Sequence, residues 1–334
     1  MTDDQWNRTI VRLDKALAMM PRKANGEDVL WGTSKVAHLD TGYTEHPSLG
    51  FANGKSPWVK ADLGYDHFAD RPDPRDPLSK TEWQEPGHGT RTASCLVGGA
   101  DGYRGLAPRL PLVPYRVNDN SLIFGRSVEA IGKAIPAAIK RGCQVVAISL
   151  GFPVVGDGEM GQGVDLAYNS GVIVVAACGQ MTDQVSYPAK HRRVIGVGGF
   201  KKAGPIYCKY KRYNRVDIFA PADHILRAET HKGANPYRYG EGDGTSYAVP
   251  HVAATAAMWL LHRGAEIAAL YKKDHWMKVE AFRKLLRDTQ MRPTFKPPED
   301  CLAGMLDAEA LLKAKLPKPD ALRYEEDMAQ DDRV

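Results

Sequence analysis

The feature that most limits the fold is a set of short, almost continuously apolar runs, among them Gln144–Leu150, Val172–Cys178 and Arg193–Gly198. A strand with one wet face alternates apolar and polar residues, whereas a strand that is apolar throughout must be covered on both faces. Lys35–Leu39, ending at Asp40, and Leu112–Val117 read as two more strands. Helical patterns lie between and after these runs. In Ser127–Arg141, residues Val128, Ile131, Ile135, Ala138 and Ile139 share one face, Ser127 suits the N-cap, and Pro136 should kink the helix. Gly87–Gly98 is small and apolar enough for a buried helix; Val164–Asn169, Ser246–Leu261 and Val279–Thr289 are further helical stretches. Strands alternating with helices predict a three-layer α/β/α sandwich around a mainly parallel central sheet. Residues 5–20 carry Trp6, Ile10, Leu13, Leu17 and Met20 at helical spacing, which predicts one amphipathic helix, and the Gly-, Pro- and Asp-rich stretch 53–87 reads mostly as loop.

The 334 residues are 43% hydrophobic and 25% charged, which excludes wholesale disorder, collagen and coiled coil. No apolar run approaches the ~20 residues of a membrane span. The net charge of +5 is mild and gives no argument for nucleic acid. The chain begins with acidic residues, Asp3 and Asp4, where a secretory leader would be basic and then apolar. Its five cysteines are odd in number and form no Cys-x-x-Cys pair, so structural zinc and a thioredoxin-type centre have no support. Buried free thiols in a reducing compartment fit, and the expected location is the cytoplasm. Composition divides the chain into an N-terminal helical extension (1–29), one α/β domain (30–315) and an acidic flexible tail (316–334). The sequence assigns no oligomeric state.

Three segments carry chemistry. Leu39-Asp40-Thr41-Gly42 closes a strand, Gly87-His88-Gly89-Thr90 opens one helix, and Gly244-Thr245-Ser246-Tyr247 opens another. Ligand sites in open α/β sheets gather at the carboxyl ends of strands. A serine is a weak nucleophile until a base takes its proton, and the base needs a third group to hold it in one tautomer. Asp, His and Ser supply these roles, and the order Asp, His, Ser is the subtilisin order. Asp-Thr-Gly also occurs in aspartic proteases, but their chemistry needs two such aspartates, and only one stands here.

The chain resembles the subtilisin-like serine proteases, the subtilase family. Val36–Gly42 resembles the family's aspartate segment, Gly87–Ser94 its histidine segment and Gly244–Ala253 its serine segment. Further landmarks, from Gly105-Leu106-Ala107-Pro108 to Gly304–Ala310, extend the likeness over about residues 30 to 315. The resemblance implies a serine endopeptidase with Ser246 as nucleophile, His88 as general base and acid, and Asp40 as orienting carboxylate, acting on protein or peptide substrates without a cofactor for the chemistry. It also implies that Ser149, Leu150 and Gly151 wall the primary pocket and pair with an extended substrate, with Ser186 and Ala189 near the pocket floor. Pro250 falls early in the serine helix, where a missing amide should cost little. The alternative is a catalytically silent subtilase fold that serves as a binding or scaffold protein.

Several positions depart from the family or leave alternatives open. Where the family has an oxyanion-hole asparagine this chain has Gln180, one methylene longer. Donors there must sit about 2.7–3.1 Å from the future oxyanion, and losing one cost about 10²–10³ in turnover in a subtilisin. Gln180 is thus a full donor on an adapted backbone, a poor donor in a slow enzyme, or a mark of a pseudoenzyme. Cys178 reads as a buried thiol or a redox switch. The 1–27 segment packs on the body or covers the active site. Asp66, Asp70, Asp73 and Asp76 offer a structural calcium site or a solvated acidic loop. Residues 201–215, with six positive charges, three tyrosines and no acid, read as a solvated hairpin, with an acidic partner, the chain's own tail or nucleic acid as alternatives.

Overall fold

Seven strands form one sheet: β1 (Val36–Asp40), β2 (Tyr65–Asp66), β3 (Leu112–Arg116), β4 (Val145–Ile148), β5 (Ile173–Ala177), β6 (Ile195–Phe200) and β7 (Ile218–Pro221). Their order is β2-β3-β1-β4-β5-β6-β7, and every neighbouring pair is parallel. All residues of β1 and of β3 to β7 are buried, as their unbroken apolar character requires. The computed structural model describes residues 5–79, 85–152, 158–231, 236–293 and 300–326. Helices pack around the sheet. The N-terminal pair is α1 (Trp6–Ile10) and α2 (Leu13–Ala18); α3 (His88–Val97), α4 (Arg126–Lys140) and α5 (Gly158–Asn169) follow. The last three are α6 (Thr245–Leu270), α7 (Met277–Thr289) and α8 (Ala308–Lys313). The long helix α6 runs against β4, β5, β6 and β7. Nearly all of its first 16 residues are buried, which explains why its sequence is apolar on all sides.

The structure corrects several local expectations. The predicted helix over 5–20 is two short helices broken at Arg12, whose φ of 53° lies in the left-handed region. The break turns the register, so that Val11 is buried and Ile10 is 36% exposed, and it lets Arg12 reach Asp307 at 2.5 Å. Ser127 is not the cap of α4: Gly125 stands there, and Ser127 Oγ instead donates to Asn118 Oδ1 at 2.8 Å. The helix continues through Pro136 to Lys140. Residues 201–215 are irregular, with Tyr210 and Tyr213 buried, because Tyr210 donates to the Gly179 carbonyl and Tyr213 receives the Tyr210 amide. An antiparallel pair, β8 (Ile225–Thr230) and β9 (Tyr237–Gly242), had no clear sequence signal. Residues 316–326 lie on the body, with Leu322 buried and Tyr324 packed on Tyr168 and Trp276 beneath the Arg193 guanidinium. The tail acids Asp327, Asp331 and Asp332 lie outside the described residues.

One buried contact ties the N-terminus to α6. His251 Nδ1 meets the Tyr247 carbonyl at 2.9 Å, so it carries the ring proton, and Nε2 accepts from the Asn7 side-chain amide at 2.9 Å. Burial pushes the His251 pKa down to about 3. The unfolded chain should protonate this residue near pH ~6.5, so between that pH and 3 it binds a proton that the folded state refuses. Stability is therefore lost as pH falls below ~6.5, by up to about 1.4 kcal/mol per pH unit from this group. His251→Gln should flatten the fall of the urea midpoint between pH 6 and pH 4 relative to wild type; parallel curves would show that His251 does not carry this dependence.

Candidate active site

The carboxyl ends of β1, β4 and β5 face the starts of α3 and α6, and the chemistry-bearing residues stand at those ends. Asp40 is the last residue of β1 and has no solvent exposure. Its Oδ1 accepts from His88 Nδ1 at 2.6 Å and from the Thr41 amide at 2.7 Å, and its Oδ2 accepts from Thr92 Oγ1 at 3.0 Å. Burial works to raise its pKa, but the His88 ring, with help from His38 and the Thr41 amide, holds the carboxyl below its ordinary range. An ionised Asp40 accepts the proton on His88 Nδ1, which leaves Nε2 of the neutral ring bare.

The first turn of α3 is fitted tightly to the end of β1. A Cβ on Gly89 would sit 2.0 Å from the Gly42 carbonyl oxygen and 3.2 Å from Asp40 Cβ. The Gly89 amide donates to Thr41 Oγ1 at 3.0 Å, and Thr41 Oγ1 donates to Asp76 Oδ2 at 2.8 Å. Asp76 also takes the Gly87 amide at 2.8 Å and the Leu78 amide at 2.8 Å. Asp76 therefore organises the helix that carries His88. The buried Asp66 is committed likewise, to Arg116, Arg71 and the amides of Phe68 and Ala69. These two carboxylates do not fit the calcium reading, and among the described residues no three His, Cys, Asp or Glu side chains converge as metal ligands.

Ser246 is the second residue of α6 and is half-buried. Its Oγ donates to the Ser149 carbonyl at 2.8 Å, while Ser149 Oγ donates to the Ser246 carbonyl at 2.9 Å. Pro250 is the sixth residue of α6, not part of its first turn as the sequence suggested. It lacks the amide that would bond the Ser246 carbonyl four residues back, and Ser149 takes that acceptor instead. Gln180 follows β5 and is exposed. Its Oε1 accepts from the Thr245 amide at 2.7 Å and from Thr245 Oγ1 at 3.3 Å. A backbone amide only donates, so the carbonyl end of Gln180 faces α6 and Nε2 is left as a donor. Gly244, at φ 140°, leaves space here, since a Cβ would stand 3.1 Å from Nε2.

Ser149 and Leu150 are buried after β4. The Gly151 amide donates to the Ser121 carbonyl at 3.1 Å, so segment 121–122 covers this edge. Ser186 fits between Gly151 and Gly179; a Cβ on the first would meet Ser186 Cβ at 2.8 Å, and one on the second would meet Ser186 Oγ at 2.2 Å. Ala189 is buried and lines a separate, arginine-rich cavity with Arg192 and Arg283. Cys178 is fully buried, and burial pushes its thiol pKa upward, as it pushes Cys95 and Cys143 up to about 12. These are not reactive thiolates. Sequence reasoning missed Thr92, Asp76 and His38 around Asp40. Thr92 was open to discovery, because it lies four residues after His88 on one helix face.

A buried carboxylate holds the imidazole at the start of α3, and α3 packs against α6, whose second residue is the serine, bonded to Ser149; these are the residue types of a serine hydrolase on an α/β scaffold. The subtilase family model matches residues 32–310. The chain is 29% identical over 289 residues to the major intracellular serine protease of Bacillus subtilis (strain 168), a match covering 84% of this chain and 81% of that one. It is 31% identical over 228 residues to subtilisin Savinase of Lederbergia lenta, covering 67% of this chain and 75% of that one. The thermostable alkaline protease of Halalkalibacterium halodurans is 28% identical over 241 residues, covering 71% of this chain and 59% of its own length. In fold, a protease from Pseudoalteromonas arctica matches with a TM-score of 0.72 at 21% identity, covering 93% of this chain and 96% of that one. The chain belongs to the subtilase family of serine proteases. Among the described residues no helix is long and apolar enough to cross a membrane.

The tight seat of Gly89 yields a test. Gly89→Ala should push α3 away from the end of β1 and lengthen the Asp40–His88 bond. Turnover should fall by about 10²-fold, as expected for a misplacement near 1 Å. Unchanged turnover in a folded variant would mean that the helix start is not what sets His88.

Proposed function

We propose that the protein is an endopeptidase that hydrolyses peptide bonds through an acyl-enzyme on Ser246. The observation that carries this reading is the 2.6 Å bond between His88 Nδ1 and the fully buried Asp40, beside the helix that begins at Thr245. Ser246 Oγ leaves the Ser149 carbonyl and turns to His88 Nε2; catalytic hydrogen bonds often form only once substrate is bound. His88 takes the hydroxyl proton as Oγ attacks the scissile carbonyl carbon. The developing oxyanion accepts from the Ser246 amide at the helix N-terminus and from Gln180 Nε2. His88 then gives its proton to the departing amine, and water repeats the sequence to release the acid.

An extended substrate strand pairs with Ser149–Gly151 and takes the Gly151 amide from Ser121, so backbone bonds supply affinity and the space beside Ser186 selects the side chain. We assign no step to calcium, since Asp66 and Asp76 are spent on protein partners. A cytoplasmic location is supported by five free cysteines and by the name of the Bacillus subtilis relative. A silent binding protein is the second reading, and the Ser246 hydroxyl held on Ser149 favours it.

A fluorophosphonate probe separates the two. Wild type should label, and Ser246→Ala and His88→Ala should not; absence of labelling in wild type would sink the catalytic reading. Gln180→Ala should lower kcat by about 10² with KM little changed, because its bond strengthens only as charge develops. Gln180→Asn should also lower kcat, since an amide still anchored on Thr245 would fall ~1 Å short. A rise in kcat with Asn would show Gln180 to be an impaired donor.

A further inference from the structure

The geometry points to His38 as a positioning residue that holds the outer oxygen of Asp40 through Thr92. This inference rests on the reading of Asp40, His88 and Ser246 given above. His38 lies two residues before Asp40 on β1, so both side chains emerge on one face of the strand. It is 2% exposed, so its ring is held by protein contacts alone. Its Nε2 lies 2.9 Å from Thr92 Oγ1 and 3.7 Å from Asp40 Oδ2.

Proton counting fixes the direction of these bonds. Thr92 has one hydroxyl proton. Asp40 Oδ2 at 3.0 Å is the one charged acceptor within its reach, closer than the carbonyls of His88 and Gly89 at 3.3 Å, and a carboxylate outcompetes a neutral ring nitrogen for the proton. Thr92 Oγ1 must then accept from His38, so the proton of His38 is on Nε2. His38 Nδ1 is buried without a partner among the described residues. A bare ring nitrogen there costs less than an N–H with no acceptor, because orphaned buried donors are the rarer case. The same tautomer follows from both ends of the ring. A chain of donors, His38 Nε2–H to Thr92 Oγ1–H to Asp40 Oδ2, thus mirrors the Thr41 and His88 donors on Oδ1.

Few other charges reach this group. The register neighbours of His38 are Pro114 and Ala147, and the neighbour of Asp40 on β3 is Arg116, which is bound to Asp66. Asp76 is held by Thr41 and backbone amides. On α3, His88 bonds Asp40, while Arg91 donates to the Pro86 carbonyl and the Cys95 thiol to the Leu226 carbonyl. Burial lowers the His38 pKa, and the His88 charge lowers it further against the pull of Asp40, so the ring is neutral when the site works. A neutral donor chain orients the carboxylate without offering it a second cation to compete with His88.

Two variants and one spectrum test this. His38→Leu removes the donor, and His38→Gln restores an N–H near the position of Nε2 without a titratable ring. His38→Leu should lower kcat about tenfold with KM within about twofold, because Thr92 Oγ1 loses the donor that turns its own proton onto Asp40 Oδ2. His38→Gln should return kcat to within about threefold of wild type. Equal losses in the two variants, or none in either, would overturn the proposal in favour of simple packing. The ¹⁵N spectrum of the full chain labelled at histidine should show His38 with a protonated Nε2 and a bare Nδ1; a protonated Nδ1 would equally overturn it. That spectrum needs no turnover. If wild type fails to label with the fluorophosphonate, the catalytic reading falls alone. The far-downfield proton of the His88–Asp40 bond then takes the place of kcat, shifted by His38→Leu and restored by His38→Gln; a resonance unmoved by His38→Leu overturns the inference.

Discussion

Asp40 carries a charge at the end of a central strand with no access to water, so protein donors alone must satisfy it. An unmet buried charge costs several kcal/mol, and removing one partner of such a pair is correspondingly damaging. Three donors meet this one, from Thr41, His88 and Thr92. Two of them come from α3, so the helix has to begin where it does and lie close enough that only glycine fits at position 89. Asp76 and Thr41 then fix the loop that feeds this turn. The orientation of the His88 ring is thus a consequence of how the end of β1 neutralises its own carboxylate.

The sheet was legible because burial on both faces erases alternation, and β4, β5 and β6 could be read from their apolar runs alone. The β8–β9 pair was not, since its outer strand is largely exposed and mixes Arg238, Glu241 and glycines with tyrosines. The break at Arg12 was hidden as well, because Ile10 and Val11 are equally apolar and only the tertiary partner of Arg12 decides which is buried. At the site, Asp40, His88 and Ser246 were visible as residue types at element ends, but their supporting residues were not. Asp76 reads in sequence as one more acid of a polar loop, and only the fold brings it 35 positions back to Thr41. The contacts of residues 316–326 were hidden for a similar reason: their charges suggested solvent, while Leu322 is buried and Tyr324 packs on Tyr168.

The two ends of the site are joined by weaker bonds than those at Asp40, and the difference has a mechanical meaning. Pro250 leaves the Ser246 carbonyl without its helical partner, and Ser149 fills that place while receiving the Ser246 hydroxyl in return. Gln180 binds the amide of the preceding residue, Thr245. The end of β4 and the loop after β5 are therefore stitched to successive positions at the start of α6. A neutral hydrogen bond of this kind contributes about 1 kcal/mol net, against the larger cost of disturbing a buried charge. On the proposed reading an arriving peptide displaces the Ser246 hydroxyl from Ser149 at small cost, whereas shifting Asp40 or His88 would disturb the buried charge. On the proposed reading the base and its carboxylate are the fixed part of the site. The nucleophile is the part that moves, by rotation of one hydroxyl on a backbone that Ser149 and Gln180 keep in place.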